Sequence, residues 1–215
     1  MIIAIPVYDN VDMLDVTGPY EMFLWAGFEV DLLAEKQGTV GFRKGFRFEV
    51  HRSFDQARKY DAIWVPGGDP PALEAIMRDP TRTYFDFLVR QSTRVKIVAS
   101  VCEGAMLLAA AGLLDGYTAT THWNFVPCFA RFPRVKVADG HPRYCHDRDR
   151  LTGGGISSGL DEALRLIEIL TDTETAAQVQ LSTQYYPRPP VSSAIPNVTK
   201  CPMTIPEPPL KKDVG

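Results

Sequence analysis

The sequence has no run of about 18 apolar residues, so no segment reads as a membrane-spanning helix. Neither sign of charge is in excess. With 23 Lys and Arg against 26 Asp and Glu, the net charge is -3. That balance argues against nucleic acid or an anionic membrane as the main partner. Glycine-rich phosphate loops are missing: neither G-x-x-x-x-G-K nor G-x-G-x-x-G occurs. Cysteine is scarce. Cys102, Cys128, Cys145 and Cys201 are irregularly spaced, and no pair has a C-x-x-C or zinc-ligand spacing. They read as reduced thiols in a cytoplasmic protein, with no metal. The start is not a signal peptide: Ile2 to Val7 is short, lacks a basic flank and runs into Asp9 and Asp12.

The 215 residues, 45% of them hydrophobic, suffice for one α/β domain. At this size folding buries roughly 70% of the unfolded chain's surface, so a core needs no disulfide or metal. The most organised stretch runs from Lys96 to Ala111. An apolar β-branched run, Ile97 to Val101, breaks at Cys102-Glu103-Gly104. It resumes as Ala105 to Ala111, apolar all round, as a buried helix is. A strand, a tight turn with a cysteine and a buried helix form the layout of a nucleophile elbow.

Other strands are expected at Ile2–Val7, Phe28–Ala34 and Asp61–Val65, with a hairpin across Arg43-Lys44-Gly45. Thr17 is a candidate N-cap, with Pro19 in the first turn of a helix closed by Gly27; this places Asp15 in the loop before it. Leu160, Ala163, Leu164 and Ile167 mark the apolar face of a late helix. Thr171 and Glu174 have capping-box spacing for the last one. Eight of the seventeen prolines lie from Pro187 onward. The expected organisation is a single domain over residues 1–186 and a proline-rich arm over 187–215, either draped on the body or partly disordered. Alternating strands and helices predict a mostly parallel sheet covered on both faces.

Ligands bind at the carboxyl ends of the strands of such a sheet. Three loops stand out there: the one with Asp15, the Gly67-Gly68 turn and the Cys102 elbow. A free cysteine is usually a small buried hydrophobe. At a helix N-terminus, however, its pKa is expected to fall and the thiolate becomes available. Backbone N–H groups at Glu103, Gly67 and Gly68 are candidates to stabilise developing negative charge. Asp15 is the candidate general acid/base, if desolvation raises its pKa. Glu103 is either a first-turn acid or part of the chemistry, since a carboxylate beside a thiol raises the thiol pKa. Thr17 is a further candidate to bind substrate. His122 is a candidate partner for the cysteine or, equally, a structural histidine. Gly155-Ile156-Ser157-Ser158-Gly159 fits G-x-S-x-G, but no histidine follows Ser157, so the hydrolase order of triad residues cannot form.

Taken together, Leu14 to Pro19, Val65 to Gly68, Ser100 to Ala105, Ala111 to Gly116, Ala119 to Trp123 and Leu151 to Ile156 resemble the ThiJ/PfpI superfamily. Within it they look most like the isonitrile hydratase branch, and the similarity spans residues 1 to about 190. It implies a flavodoxin-like three-layer sandwich, a homodimer, no cofactor and a small-molecule substrate. It further implies Cys102 as a nucleophile that attacks an isocyanide carbon, with Asp15 as general acid/base. The family commonly has threonine after the cysteine where this chain has Glu103. Alternatives within the same resemblance are a glyoxalase-like hydratase or hydrolase and a non-enzymatic redox-responsive thiol protein. The body also resembles the sensor half of AraC-type regulators, a weaker reading.

Overall fold

The computed structural model describes residues 1–42 and 45–206. Chain order is β1 (Ile2–Pro6), α1 (Met13–Trp25), β2 (Glu29–Ala34), β3 (Gly38–Gly41), β4 (Arg47–Val50), β5 (Arg52–Ser53), β6 (Ala62–Val65), α2 (Pro70–Arg78), α3 (Thr83–Ser92), β7 (Ile97–Ser100) and α4 (Gly104–Ala110). The short strands β8 (Thr118–Ala119) and β9 (Lys136–Val137) flank a 3-10 run over Trp123–Arg131. The chain then forms β10 (Tyr144–Asp147), β11 (Arg150–Gly153), α5 (Ser158–Leu170) and α6 (Thr173–Ser182).

The apolar runs become a seven-stranded sheet in the order β10-β11-β7-β6-β1-β2-β5. All neighbours are parallel except β10 with β11. β6 and β7 are buried along their whole length, as strands covered on both faces must be. One face packs on α1, α5 and α6 through Val16, Phe23, Ala163, Leu166 and Val179. The other packs on α2, α3, α4 and the 3-10 run through Leu73, Phe87, Leu107 and Phe129. The architecture is a flavodoxin-like α/β sandwich. β1 pairs with β2 on one side and β6 on the other, so the connections leave β1 and β6 in opposite directions. That is the switch point where such sheets open a crevice.

Close packing of the elbow needs Gly104. A Cβ there would lie 2.1 Å from the Val65 carbonyl oxygen, so α4 lies this close to β6 only with glycine at that position.

Four expectations change. Helix α1 begins at Met13, four residues before Thr17, so Asp15 lies in its first turn and Pro19 inside the helix. Pro19 has no N–H to give to the Asp15 carbonyl; the indole N–H of buried Trp64 donates to that oxygen instead, at 3.0 Å, and the helix continues. The last helix is capped by Asp172, whose side chain accepts from the Thr175 N–H at 2.7 Å. Of the expected α5 stripe Ala163 and Ile167 are buried while Leu160 and Leu164 are half-buried; the buried face also takes in Gly159, Glu162 and Leu166, and so buries a glutamate. Finally, the cysteines are not all reduced: Cys128 and Cys201, 73 positions apart, form a disulfide, while Cys102 and Cys145 are free.

The expected hairpin is present as β3 and β4; Arg43 and Lys44 of its turn lie outside the described residues. From Gln184 to Pro206 the chain has no helix or strand, yet Met203 and Ile205 are buried in the core. The end of the arm, 207–215, also lies outside the described residues. Among the described residues no helix is long and apolar enough to cross a membrane.

Candidate active site

Cys102 follows β7 with φ 57°, a left-handed conformation that is uncommon for a side chain larger than glycine. The backbone is held there from both sides. The Cys102 N–H donates to the Gly154 carbonyl at 2.9 Å, and the Thr121 hydroxyl donates to the Cys102 carbonyl at 2.8 Å. The side chain is fully buried.

Around the sulfur the fold gathers acids. One ligand-type atom each from Asp12, Asp15, Cys102 and Glu103 lies within 4.8 Å of the others, and all four residues are buried. Asp15 is fixed at both ends. Trp64 holds its carbonyl, and the Gly67 N–H donates to Oδ2 at 2.9 Å. Oδ1 is buried with no hydrogen-bond partner of normal geometry. Gly67 is hemmed in. A Cβ there would lie 2.5 Å from Glu103 Oε2 and 2.9 Å from Asp15 Oδ2, so the two acids approach across a residue with no side chain.

Burial pushes the Asp15 carboxyl well above the usual carboxylate range, and the neighbouring charges of Glu103 and Asp12 add to the rise. Asp15 is therefore set to hold a proton. The Cys102 thiol is also raised, by burial first and then by Asp15 and Glu103; the Ile156 N–H facing the sulfur works the other way. This reverses the expectation of a thiol pKa lowered by the helix N-terminus. Burial is the first cause and the facing acids follow, while α4 is only seven residues long and offers a short dipole; burial thus favours the thiol form.

Gly67 and Gly68 lie in the crevice wall. The Gly67 N–H serves Asp15, its carbonyl accepts from Asp12 N–H at 3.0 Å, and Gly68 bridges to Val11. The turn therefore positions the two acids. Thr17 stands apart, on the exposed face of α1, with its hydroxyl donating to the Met13 carbonyl at 3.0 Å. His122 caps the 3-10 run, its Nδ1 accepting from the Asn124 N–H at 3.2 Å. Burial lowers its pKa, with Asp12 opposing, so it is a neutral imidazole. The acids that raise the Cys102 pKa are Asp15 and Glu103, and His122 is not in the cluster around the sulfur. His122, Trp123, Arg143, Gly155 and Ile156 line a cleft of about 280 Å³, and Ile195 of the arm completes it. A larger hollow of about 820 Å³ lies at the β5 edge beside Phe54 and Arg90, with none of these residues.

Three participants escaped the sequence reading. Asp12 precedes Asp15 by one helical turn, a spacing that could have flagged it. Ile156 contributes only backbone. Glu162 is fully buried on α5; both carboxyl oxygens lack a hydrogen-bond partner of normal geometry, and burial, then Asp15, raise its pKa well above the usual range. The sulfur and the three carboxylate oxygens around it could also face a cation.

The family model described as DJ-1/PfpI matches residues 1–168. The chain belongs to the DJ-1/PfpI family. Among similar members of known name is an isonitrile hydratase of Pseudomonas putida, 34% identical over 192 residues, which are 89% of this chain and 81% of that protein. The transcriptional regulator GbdR of Pseudomonas aeruginosa is 35% identical over 148 residues, 68% of this chain but only 37% of that regulator. Among solved structures, a ThiJ/PfpI family protein of Pseudomonas syringae superposes with a TM-score of 0.80 at 32% identity, covering 88% of this chain and 77% of that one. The matched relatives thus include an enzyme and a regulator.

Proposed function

We propose that the protein hydrates isocyanides, or closely similar small electrophiles, to N-substituted formamides at Cys102. One observation carries the reading: Asp15, buried and fixed through its carbonyl and its carboxylate, lies beside a buried cysteine at a strained elbow, where burial favours its protonated form. The likeness to the Pseudomonas putida isonitrile hydratase supports it.

A resting thiol suits this chemistry. An isocyanide carbon accepts a nucleophile and a proton at the same atom. The sulfur forms a bond to that carbon as its proton passes to the acid cluster, and Asp15 gives its proton to the carbon. The product is a thioimidate on Cys102. Water then adds to the same carbon, the carbon–sulfur bond breaks, the nitrogen takes a proton, and formamide and thiol leave. The net change is isocyanide plus water to formamide. Carboxyl groups gathered this closely, with Asp15 beside Glu103 and Asp12, let one site both accept and donate a proton. Glu103, in the place where the family commonly has threonine, enlarges that group. The cleft walls of His122, Trp123 and Ile156 suit a compact apolar or aryl substituent.

The reading includes a homodimer, as the resemblance implies, and a cytoplasmic location, as the cysteine usage and the start of the sequence suggest. In that compartment a bond such as Cys128–Cys201 is transient and redox-responsive.

The test is loss of an aryl isocyanide's ultraviolet signal. Cys102→Ala should abolish it, and Asp15→Asn should slow it at least ~100-fold, the lower range for general acid–base groups. A Cys102→Ala protein with full activity would sink the mechanism. Wild-type protein that ignores isocyanides but converts methylglyoxal would move it to the glyoxalase-like branch.

A further inference from the structure

The arm meets the cleft at Ile195 and is fastened before and after that residue. On one side, Tyr185 is tied to the end of α6 by its N–H to the Gln180 carbonyl at 3.0 Å. Its hydroxyl reaches Asp161 Oδ2 at 3.3 Å. Asp161 is ion-paired with Arg143, a cleft residue that also donates to the Ser157 carbonyl at 3.0 Å. On the other side, Cys201 is bonded to Cys128 in the 3-10 run that begins with Trp123, the opposite cleft wall. Beyond it Met203 and Ile205 are buried, and the Thr204 N–H donates to Glu74 at 2.6 Å.

Between these fastenings the chain has little hold of its own. Every residue from 187 to 200 except Val198 is exposed. Pro187, Pro189, Pro190 and Pro196 stiffen it in an extended form. Pro196 also biases Ile195 towards extended backbone. Ile195, half exposed, is the arm residue that lines the cleft with His122 and Ile156, and the Ile156 N–H faces the Cys102 sulfur.

We infer that residues 185–201 form a strap over the cleft at His122 and Ile156 that gives access to the buried Cys102, with Ile195 limiting the size of what enters and the Cys128–Cys201 bond as its latch. The latch opens by two-electron reduction. One thiolate of a dithiol attacks a sulfur of the bond, its second thiol displaces the mixed disulfide, and the dithiol leaves as a cyclic disulfide. Cys128 and Cys201 each gain a proton, and the far end of the strap is then held only by Met203, Ile205 and the Thr204 contact. This concerns access to Cys102 and holds whatever electrophile the thiol meets.

The experiment measures alkylation of Cys102 in the full-length protein by iodoacetamide and by a bulky N-aryl maleimide, located by peptide mapping. The readout is the ratio of the bulky to the small reagent's rate, which normalises for thiol reactivity and needs no isocyanide turnover. Reducing the folded protein with a dithiol and removing the reagent should raise the ratio at least ~10-fold, and reoxidation should restore it. Ile195→Ala should raise it with the bond intact; Ile195→Trp should lower it. A ratio that ignores both Ile195 substitutions overturns the gating role. One that ignores reduction overturns the latch. Reoxidation distinguishes opening of the strap from unfolding, and Cys201→Ser with unchanged far-ultraviolet circular dichroism should match the reduced protein. If the ratio responds while isocyanides are untouched, the strap stands and the proposed reaction falls.

Discussion

Glu162→Gln separates electrostatics from packing at one buried atom pair. Glu162 is fully buried and its folded pKa lies well above that of an exposed glutamate, from burial first and Asp15 second. In the unfolded chain the group titrates near 4.3. Below that value both states hold the proton and the group imposes no penalty. Above it the unfolded chain loses the proton while the folded protein keeps it, and stability falls as pH rises, until the folded pKa is passed. The slope over that window is about 1.4 kcal/mol per pH unit. Glutamine has the same shape and no titration, so the variant lacks that slope. For a domain of this size about 1 kcal/mol corresponds to roughly 2–4 °C in Tm. Glu162→Gln should therefore gain about 3–6 °C on wild type for each pH unit above 4.3 within the window. An unsatisfied buried amide costs about 1–3 kcal/mol at every pH and shifts the whole curve without changing its slope. The assay is thermal or urea unfolding from pH 4 to 8, with Asp15 intact. Parallel wild-type and variant curves would refute a proton held by Glu162 in the folded state.

Activity should also report Asp15. As the pH rises through its raised pKa the acid loses its proton, so the rate of isocyanide loss should fall on that alkaline limb, and Asp15→Asn should lack the limb. Gly67→Ala places a methyl 2.5 Å from Glu103 Oε2 and 2.8 Å from the Glu103 backbone nitrogen. It should lower stability by about 1–3 kcal/mol and slow Cys102 chemistry, both measurable by urea titration and turnover. The Cys128–Cys201 bond closes a loop of 73 residues. Its loop-closure entropy corresponds to up to about 4.4 kcal/mol, so reduction should shift the urea midpoint downward; an unmoved midpoint would show that the arm is not part of the cooperative unit.

Much of the frame was legible because its signals are local. Ile2–Pro6, Ala62–Val65 and Ile97–Ser100 are apolar β-branched runs, and the break at Cys102 is visible in four residues. What was not legible depends on partners distant in sequence. Pro19 normally marks a helix start, and only Trp64, 45 positions on, lets the helix begin earlier and take in Asp15. Spacing could not pair Cys128 with Cys201. Glu162 interrupts an apolar face, and polarity alone gave no reason to place it inside. The direction of the Cys102 pKa follows from burial and two facing acids, which a helix-dipole argument omits.

The Trp64 indole has one more consequence. It ties the Asp15 backbone to β6, and the turn that leaves β6 carries the Gly67 whose N–H holds the Asp15 carboxyl. Both coordinates of the acid are thus referenced to one central strand, although the residue belongs to a helix. The acid's alignment is therefore set by the sheet, and the exposed edge of α1 at Leu24 and Trp25 takes no part in it.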